Sequence, residues 1–398
     1  MWPVNRLRSL SVLDRIRAGL LVLGLMFVAT GLLPMDDAKD ALTRIAPLLL
    51  FLAGVIVLVE LTKAAEVFDV IAAQVARAGR GHYPALFALC VVFASLTTMF
   101  LNLDTTAVLL TPVMLALAER TGIAPLPLAM TTVWLANSAS LLLPVSNLTN
   151  LLAADRIALE PAAFAARMWG AQLAAVAVTV FFLWLFYWRV GVRGAERYEP
   201  PQRVKVKDPV LTGVTAAACV VFVGCVLAGV PVGYAAAGAA VPAVAAYAWR
   251  DRRVLEPSLI PWRLLIFVIG LFLVVPTVSR YGLNTVMTAV TGTGDGIGGS
   301  LRAALSGAGL ANVLNNLPAY AVGELAVPVG NADQLLGLLI GVNVGPVITP
   351  WASLATLLWF EWCRRHGLEI PLRRFMLHGA YLALVALPVT VLALLVTG

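Results

Sequence analysis

The chain has 398 residues, 61% of them hydrophobic and 12% charged, and a formal net charge of +7. Soluble domains carry roughly twice that charged fraction, so the composition excludes a water-soluble globular protein and makes lipid the solvent. The positive balance does not point to nucleic acid, because the basic residues sit in short stretches between apolar runs, where they report membrane orientation.

Stretches of about 17–25 apolar residues, the length a helix needs to cross a bilayer, recur along the chain, and the short alternating segments of a membrane barrel are absent. Spans are expected at 18–34, 45–62, 125–152, 163–188, 209–229, 233–249, 262–280, 334–360 and 375–397. Arg6, Arg8, Arg15 and Arg17 precede the first run, but no small-residue cleavage site closes it, so it reads as a retained helix and not as a signal peptide. Residues 63–79 alternate charge with Val67, Phe68, Val70, Ile71 and Val75, the pattern of an amphipathic helix lying in the membrane interface. Two further apolar regions, 84–118 and 300–330, have polar, helix-interrupting centres. They read as re-entrant hairpins, whose irregular backbone is tolerated only where protein or a wet cavity surrounds it.

Orientation follows from the basic residues. With the N-terminus in the cytoplasm and both hairpins returning to their own side, only Lys39, Arg44, Arg156, Arg167, Arg280 and Arg302, of 28 Lys and Arg, fall on the external side. Such a bias is what the positive-inside rule requires. The same layout contains a repeat. Residues 1–190 form one unit, with hairpin 84–118 and a broken helix over 125–152. Residues 233–398 form a second, with hairpin 300–330 and a broken helix over 334–360. The basic loop and linker helix of 191–232 join them and invert the second unit. The fold class expected is therefore an all-α polytopic membrane protein of two inverted-topology repeats, with its binding site where the interrupted elements meet near the bilayer midplane.

The polar residues inside apolar segments are the candidates for chemistry. The first hairpin turns at Asn102-Leu103-Asp104-Thr105-Thr106. An acid there costs a few kcal/mol, and desolvation favours proton uptake or cation binding by Asp104; the competing reading is an acid at a wet vestibule that only caps the next helix. The second hairpin turns at Asn312-Val313-Leu314-Asn315-Asn316-Leu317-Pro318. Its asparagines offer carbonyl and amide groups that can ligate a cation or bond a hydroxylated solute, or can simply glue helices. Each hairpin is followed by a span broken at its middle. The first carries Asn137, Ser146, Asn147 and Asn150 around Pro144, and the second carries Asn343, Thr349 and Ser353 around Pro346 and Pro350. Proline removes a backbone donor and frees a carbonyl one turn earlier, so a broken helix presents both carbonyls and helix N-termini to a solute. A plain proline kink is the alternative. Glu60 and Glu324 read as solvated span ends. His82, His366 and His378, at loops or span ends, suggest no site.

No metal site or cofactor is expected. Cys90, Cys219, Cys225 and Cys363 lack ligand spacing. A paired nucleophile and base for an enzyme is missing, as is a Gly-x-x-x-x-Gly-Lys-Ser/Thr loop for ATP hydrolysis.

These motifs resemble the ion transporter superfamily, whose domain is described as citrate-transporter-like, and within it the arsenite and antimonite efflux permeases. The resemblance rests on Asp104-Thr105-Thr106-Ala107-Val108-Leu109-Leu110-Thr111-Pro112, on Asn137-Ser138-Ala139-Ser140 with Val145-Ser146-Asn147-Leu148, on Asn315-Asn316-Leu317-Pro318-Ala319, and on Gly341-Val342-Asn343-Val344-Gly345-Pro346 with Ser353-Leu354-Ala355-Thr356. It implies an inner-membrane exporter of arsenite or antimonite, driven by protons or sodium, or assisted by an ATPase subunit, and acting singly or as a homodimer. The same scaffold also serves sodium/proton antiporters and sodium-coupled di- and tricarboxylate carriers. The permeases place asparagine directly before the hairpin acid, whereas Leu103 intervenes here. The carboxylate carriers show Ser-Asn-Thr at both tips, and this chain has it at neither. With no Lys or Arg in a hairpin tip or broken helix, a neutral or cationic solute is expected.

Overall fold

The computed structural model describes residues 12–189, 197–202 and 205–397. Arg6, Arg8, Arg193 and Arg203, which the orientation reading uses, lie outside them. The described chain is helical, with no strand beyond one isolated bridge between His82 and Arg197. Its α-helices are α1 (Val12–Ala29), α2 (Met35–Ala64), α3 (Val67–Ala78), α4 (Tyr83–Leu101), α5 (Leu103–Thr121), α6 (Pro125–Ser138), α7 (Leu148–Arg156), α8 (Pro161–Leu183), α9 (Pro209–Leu227), α10 (Val232–Arg250), α11 (Trp262–Val278), α12 (Asn284–Thr291), α13 (Gly296–Leu314), α14 (Asn316–Gly323), α15 (Ala332–Val344), α16 (Leu354–Arg365) and α17 (Leu372–Thr397). Among the described residues, seven helical segments are long and apolar enough to cross a membrane: 35–64, 83–101, 161–188, 209–226, 232–250, 262–282 and 372–397. The chain is a multi-pass membrane protein.

Local chemistry sets the boundaries. Pro125, Pro161 and Pro209 open α6, α8 and α9, where a missing N–H costs nothing. The Asp208 side chain caps α9 by accepting from the amides of Val210 and Leu211. Gly122 ends α5 in the left-handed region at φ 67°. The first expected span, 18–34, ends as helix at Ala29, because Gly31 at φ 74° turns the chain and the Leu33 amide closes onto the Phe27 carbonyl. Helix α3 matches the amphipathic segment, and it packs its buried face, including Phe68 and Ala72, on α4 and α5. Helix α12 was not foreseen. It is one short amphipathic stretch between a turn at Gly282 and one at Gly292, too brief for a span-length window to register.

The long helices pair with partners distant in the chain. Helix α1 packs on α11, α2 on α10, and α8 on α17. Close approach needs small residues at the crossings. A Cβ added at Gly54 would lie 2.8 Å from the Ala237 amide nitrogen, and one at Gly270 would lie 2.6 Å from that of Leu21. These pairs frame an inner layer of interrupted helices, α4–α7 and α13–α16, where most of the buried polar residues lie.

Candidate functional site

The two hairpin tips share one backbone solution. Helices α4 and α5 are separated by Asn102 alone, at φ 90° and ψ 152°, and α13 and α14 by Asn315 alone, at φ 100° and ψ 153°. Side chains other than glycine rarely adopt positive φ, and asparagine tolerates it better than most. Asn102 also caps α5, its Oδ1 accepting from the Asp104 amide at 2.8 Å, so the cap belongs to Asn102 and not to Asp104.

The broken helices form the buried centre. In the first, α6 stops at Ser138 and α7 starts after Asn147; in the second, α15 stops at Val344 and α16 starts after Ser353. Interruption leaves backbone groups without intrahelical partners. Asn150 answers two of them, donating from Nδ2 to the carbonyls of Ser140 (2.6 Å) and Leu143 (2.9 Å), while Gln172 Oε1 accepts from the Leu141 amide at 2.8 Å. Both new helices are capped by side chains, α7 by Asn147 accepting from the Thr149 amide and α16 by Ser353 accepting from the Thr356 amide.

The two breaks then bond each other in a reciprocal pattern. Asn343 donates from Nδ2 to Asn150 Oδ1 (2.7 Å), and Asn137 donates from Nδ2 to Thr356 Oγ1 (3.3 Å). Asn137 and Asn343 stand ten residues before the helix cap of their own segment (Asn147 and Ser353) and thirteen before the residue of that same segment that accepts from the opposite asparagine (Asn150 and Thr356). Asn343 Oδ1 is saturated by Asn147 Nδ2 (2.9 Å) and Thr149 Oγ1 (2.7 Å). Asn137 Oδ1 is buried and has no hydrogen-bond partner among the described residues, so it is an acceptor left over in a site of amide and hydroxyl groups. Ser146 reaches the first hairpin, donating to the Met99 carbonyl at 2.7 Å.

Asn312, Asn315, Asn316 and Thr349 make a separate cluster. Asn312 Nδ2 donates to the Gly345 carbonyl (2.9 Å), and its Oδ1 accepts from both the amide and the hydroxyl of Thr349 (2.9 Å each). Asn315 Nδ2 donates to the Trp351 carbonyl (3.0 Å), and the Asn316 amide to the Ala352 carbonyl (2.8 Å). These groups latch the second hairpin onto its own broken helix.

Asp104 and Thr105 face a different space, a cavity of about 500 Å³ between the first hairpin, α2, the start of α11 and α16. Glu60, Ser258 and Arg263 line it too. Sequence reasoning missed Glu60 and Arg263, because each lies at the end of an apolar run and nothing in spacing places such ends beside a hairpin tip more than forty residues away in one case and far downstream in the other. Arg263 also supplies positive charge that neither the tips nor the broken helices carry. Thr356 and Gln172 were missed as well; Thr356 could have been found by laying one broken helix over the other. Among the described residues no group of three His, Cys, Asp or Glu could hold a metal ion, and the four cysteines are unpaired, Cys90 and Cys363 buried.

The profile of the citrate transporter family matches residues 9–355. An arsenical pump membrane protein of Escherichia coli (strain K12) is 31% identical over 354 residues, covering 82% of this chain and 81% of that protein. One of Yersinia enterocolitica is 30% identical over 355 residues with the same coverage. Among solved structures, the Alcanivorax borkumensis YdaH transporter, described as having an unusual topology, shares the fold with a TM-score of 0.60 at 14% identity, over 97% of this chain and 98% of that one.

Proposed function

The chain belongs to the citrate transporter family, and on that premise we propose that it is a secondary active transporter of the inner membrane that exports arsenite and antimonite in exchange for protons. Its N-terminus lies in the cytoplasm, and residues 1–190 and 233–398 are inverted copies. The single observation that carries the reading is the reciprocal bonding of Asn343 to Asn150 and of Asn137 to Thr356. Contacts that exchange when the halves are exchanged are those of two related units facing one site, and the pairings of α1 with α11 and α2 with α10 have the same property. Arsenite near neutral pH is an uncharged trihydroxide. Its hydroxyls suit carbonyl and hydroxyl partners such as Asn137 Oδ1, Ser146 and Thr356, together with amides at the N-termini of α7 and α16. Asp104, half-buried at the mouth of its own cavity, takes up the coupling proton and returns it on the other side of the cycle.

The test is arsenite resistance in a host lacking other arsenite pumps, with uptake into everted vesicles. Asp104→Asn, nearly isosteric, is expected to abolish proton-driven uptake while leaving the amount of membrane-inserted protein unchanged. Unaltered uptake with an unaltered pH profile removes Asp104 from coupling. A second reading, a carboxylate carrier, is favoured by Arg263 in the cavity with Asp104, since a guanidinium pairs well with carboxylates. Citrate uptake that is lost in Arg263→Gln, with no arsenite resistance in either protein, selects it.

A further inference from the structure

Towards the opposite end of α2 from Glu60 lies a buried acid. Glu324 is 2% exposed, in the short turn that follows α14. Its Oε1 lies 3.6 Å from Arg44 Nη1, beyond a hydrogen bond, and its Oε2 has no hydrogen-bond partner among the described residues. Arg44 gives its good bond elsewhere, from Nε to Asp155 Oδ2 at 2.9 Å, and Asp155 is largely exposed. On the other flank of the turn, Arg156 donates to the Val327 carbonyl at 3.0 Å. Two arginines, from α2 and α7, thus clasp the segment 324–327 of the second hairpin. The remaining titratable neighbours are Tyr320 on α14, whose buried hydroxyl also has no hydrogen-bond partner among the described residues, and Asp333 on α15, which pairs with Arg167. Helix α12, packed on the same turn, carries no titratable side chain.

An ion pair kept only for stability is expected to satisfy both carboxylate oxygens, because burying a carboxylate without hydrogen bonds is costly. Glu324 does not meet that expectation, and a carboxyl shielded from water takes up a proton more readily than an exposed one. We propose that Glu324 is a second proton-binding carboxyl, and that its ionised form holds the 324–327 segment to α2 through Arg44 while its protonated form releases it. Arg44 keeps Asp155 and Arg156 keeps the Val327 carbonyl in both states, so protonation removes one negative charge and the contact to Arg44. Sixteen residues of α2 separate Arg44 from Glu60, about 24 Å at 1.5 Å per residue, so Glu324 lies far along α2 from the cavity that Glu60 shares with Asp104. The part given to Glu324 in coupling rests on the transporter reading above; the titration itself does not.

Infrared difference spectroscopy of the full chain in liposomes, on acidification, separates the two. The wild type is expected to show a carboxylic-acid carbonyl band that is lost in Glu324→Gln and retained in both Asp104→Asn and Asp155→Asn. Arg44→Gln, which removes the neighbouring cation, should move the midpoint of that band to higher pH by about one unit. A wild-type band unchanged in Glu324→Gln overturns the proposal. Should Glu324→Gln fail to fold, an unmoved midpoint in Arg44→Gln overturns it equally. Neither readout needs a transported solute, so failure of arsenite export leaves this result standing. In vesicles that do export arsenite, Glu324→Gln should cut the acid stimulation of uptake about tenfold, and an intact stimulation confines Glu324 to a structural role.

Discussion

The first and second hairpins bend alike and use their side chains differently. Asn102 and Asn315 hold the same unusual backbone, yet Asn102 spends its side chain capping its own helix, while Asn315 spends it on the Trp351 carbonyl across the gap. The first hairpin is bonded to its broken helix by the side chain of Ser146, which donates to the Met99 carbonyl. The second is bound by Asn312, Asn315 and Asn316, and its helix α13 lies against α15 along Gly337, Gly341 and Gly345, where a Cβ at Gly345 would meet that of Ala308 at 2.5 Å. Packing this close leaves no room for a larger side chain between the two helices. The lesson is that a repeated backbone device need not repeat its chemistry: one copy leaves an acid facing a cavity, and the other is a fixed abutment whose far arm alone, the turn at Glu324, is held by a releasable ion pair.

The largest effect that should sharpen this contrast comes from Gly341→Leu. Its side chain would run into the Ala304 carbonyl of α13, which is backbone and cannot swing aside, and overpacking of this kind costs about 1–3 kcal/mol or more. Loss of the folded peak in size-exclusion chromatography is expected, whereas Gly309→Leu, with open space beside it, should elute as the wild type does. Equal behaviour of the two variants would break the picture of α13 as an abutment.

A smaller effect separates the tips. Asn102→Ala and Asn315→Ala each place alanine at positive φ, worth about 1–3 kcal/mol. Asn102→Ala loses a part-buried helix cap, worth about 1 kcal/mol, whereas the bond that Asn315→Ala loses, to the Trp351 carbonyl, is exposed to solvent that replaces it, so the thermal midpoint of Asn102→Ala should fall further. Glycine at either position should recover the backbone part. A greater fall for Asn315→Ala would reverse the assignment of roles.

The smallest effect concerns thiols. Cys90 lies in the first hairpin, Cys363 in α16, and Cys219 and Cys225 in α9, outside both hairpins and both broken helices. Six residues on one helix separate the last two by about 120° around the axis, so they do not form a pair. A variant with all four replaced by serine or alanine should keep wild-type arsenite resistance, while Ser146→Ala or Asn316→Ala lowers it. Loss of resistance in well-expressed cysteine-free protein would move the ligands from oxygen to sulfur.

Much of this was legible before any coordinates. Apolar runs of span length, set by bilayer thickness, determined that the chain is helical and crosses a membrane. Prolines and asparagines inside such runs determined where helices break, since a polar, interrupted backbone inside lipid has to be surrounded by protein. The two tips and both broken helices stand where those residues put them. What tertiary structure alone decided is which polar groups remain available. Asn312 and Thr349 look like ligands in the sequence and turn out to bond each other, whereas Asn137 keeps a free acceptor. Glu60 and Glu324 read as solvated ends, yet one lines the cavity of Asp104 and the other is buried beside Arg44. Hydrophobic periodicity records whether a helix forms and which face is apolar; the partner of a single hydrogen bond or charge depends on a few ångströms of packing between elements distant in the chain, and no local pattern carries that distance.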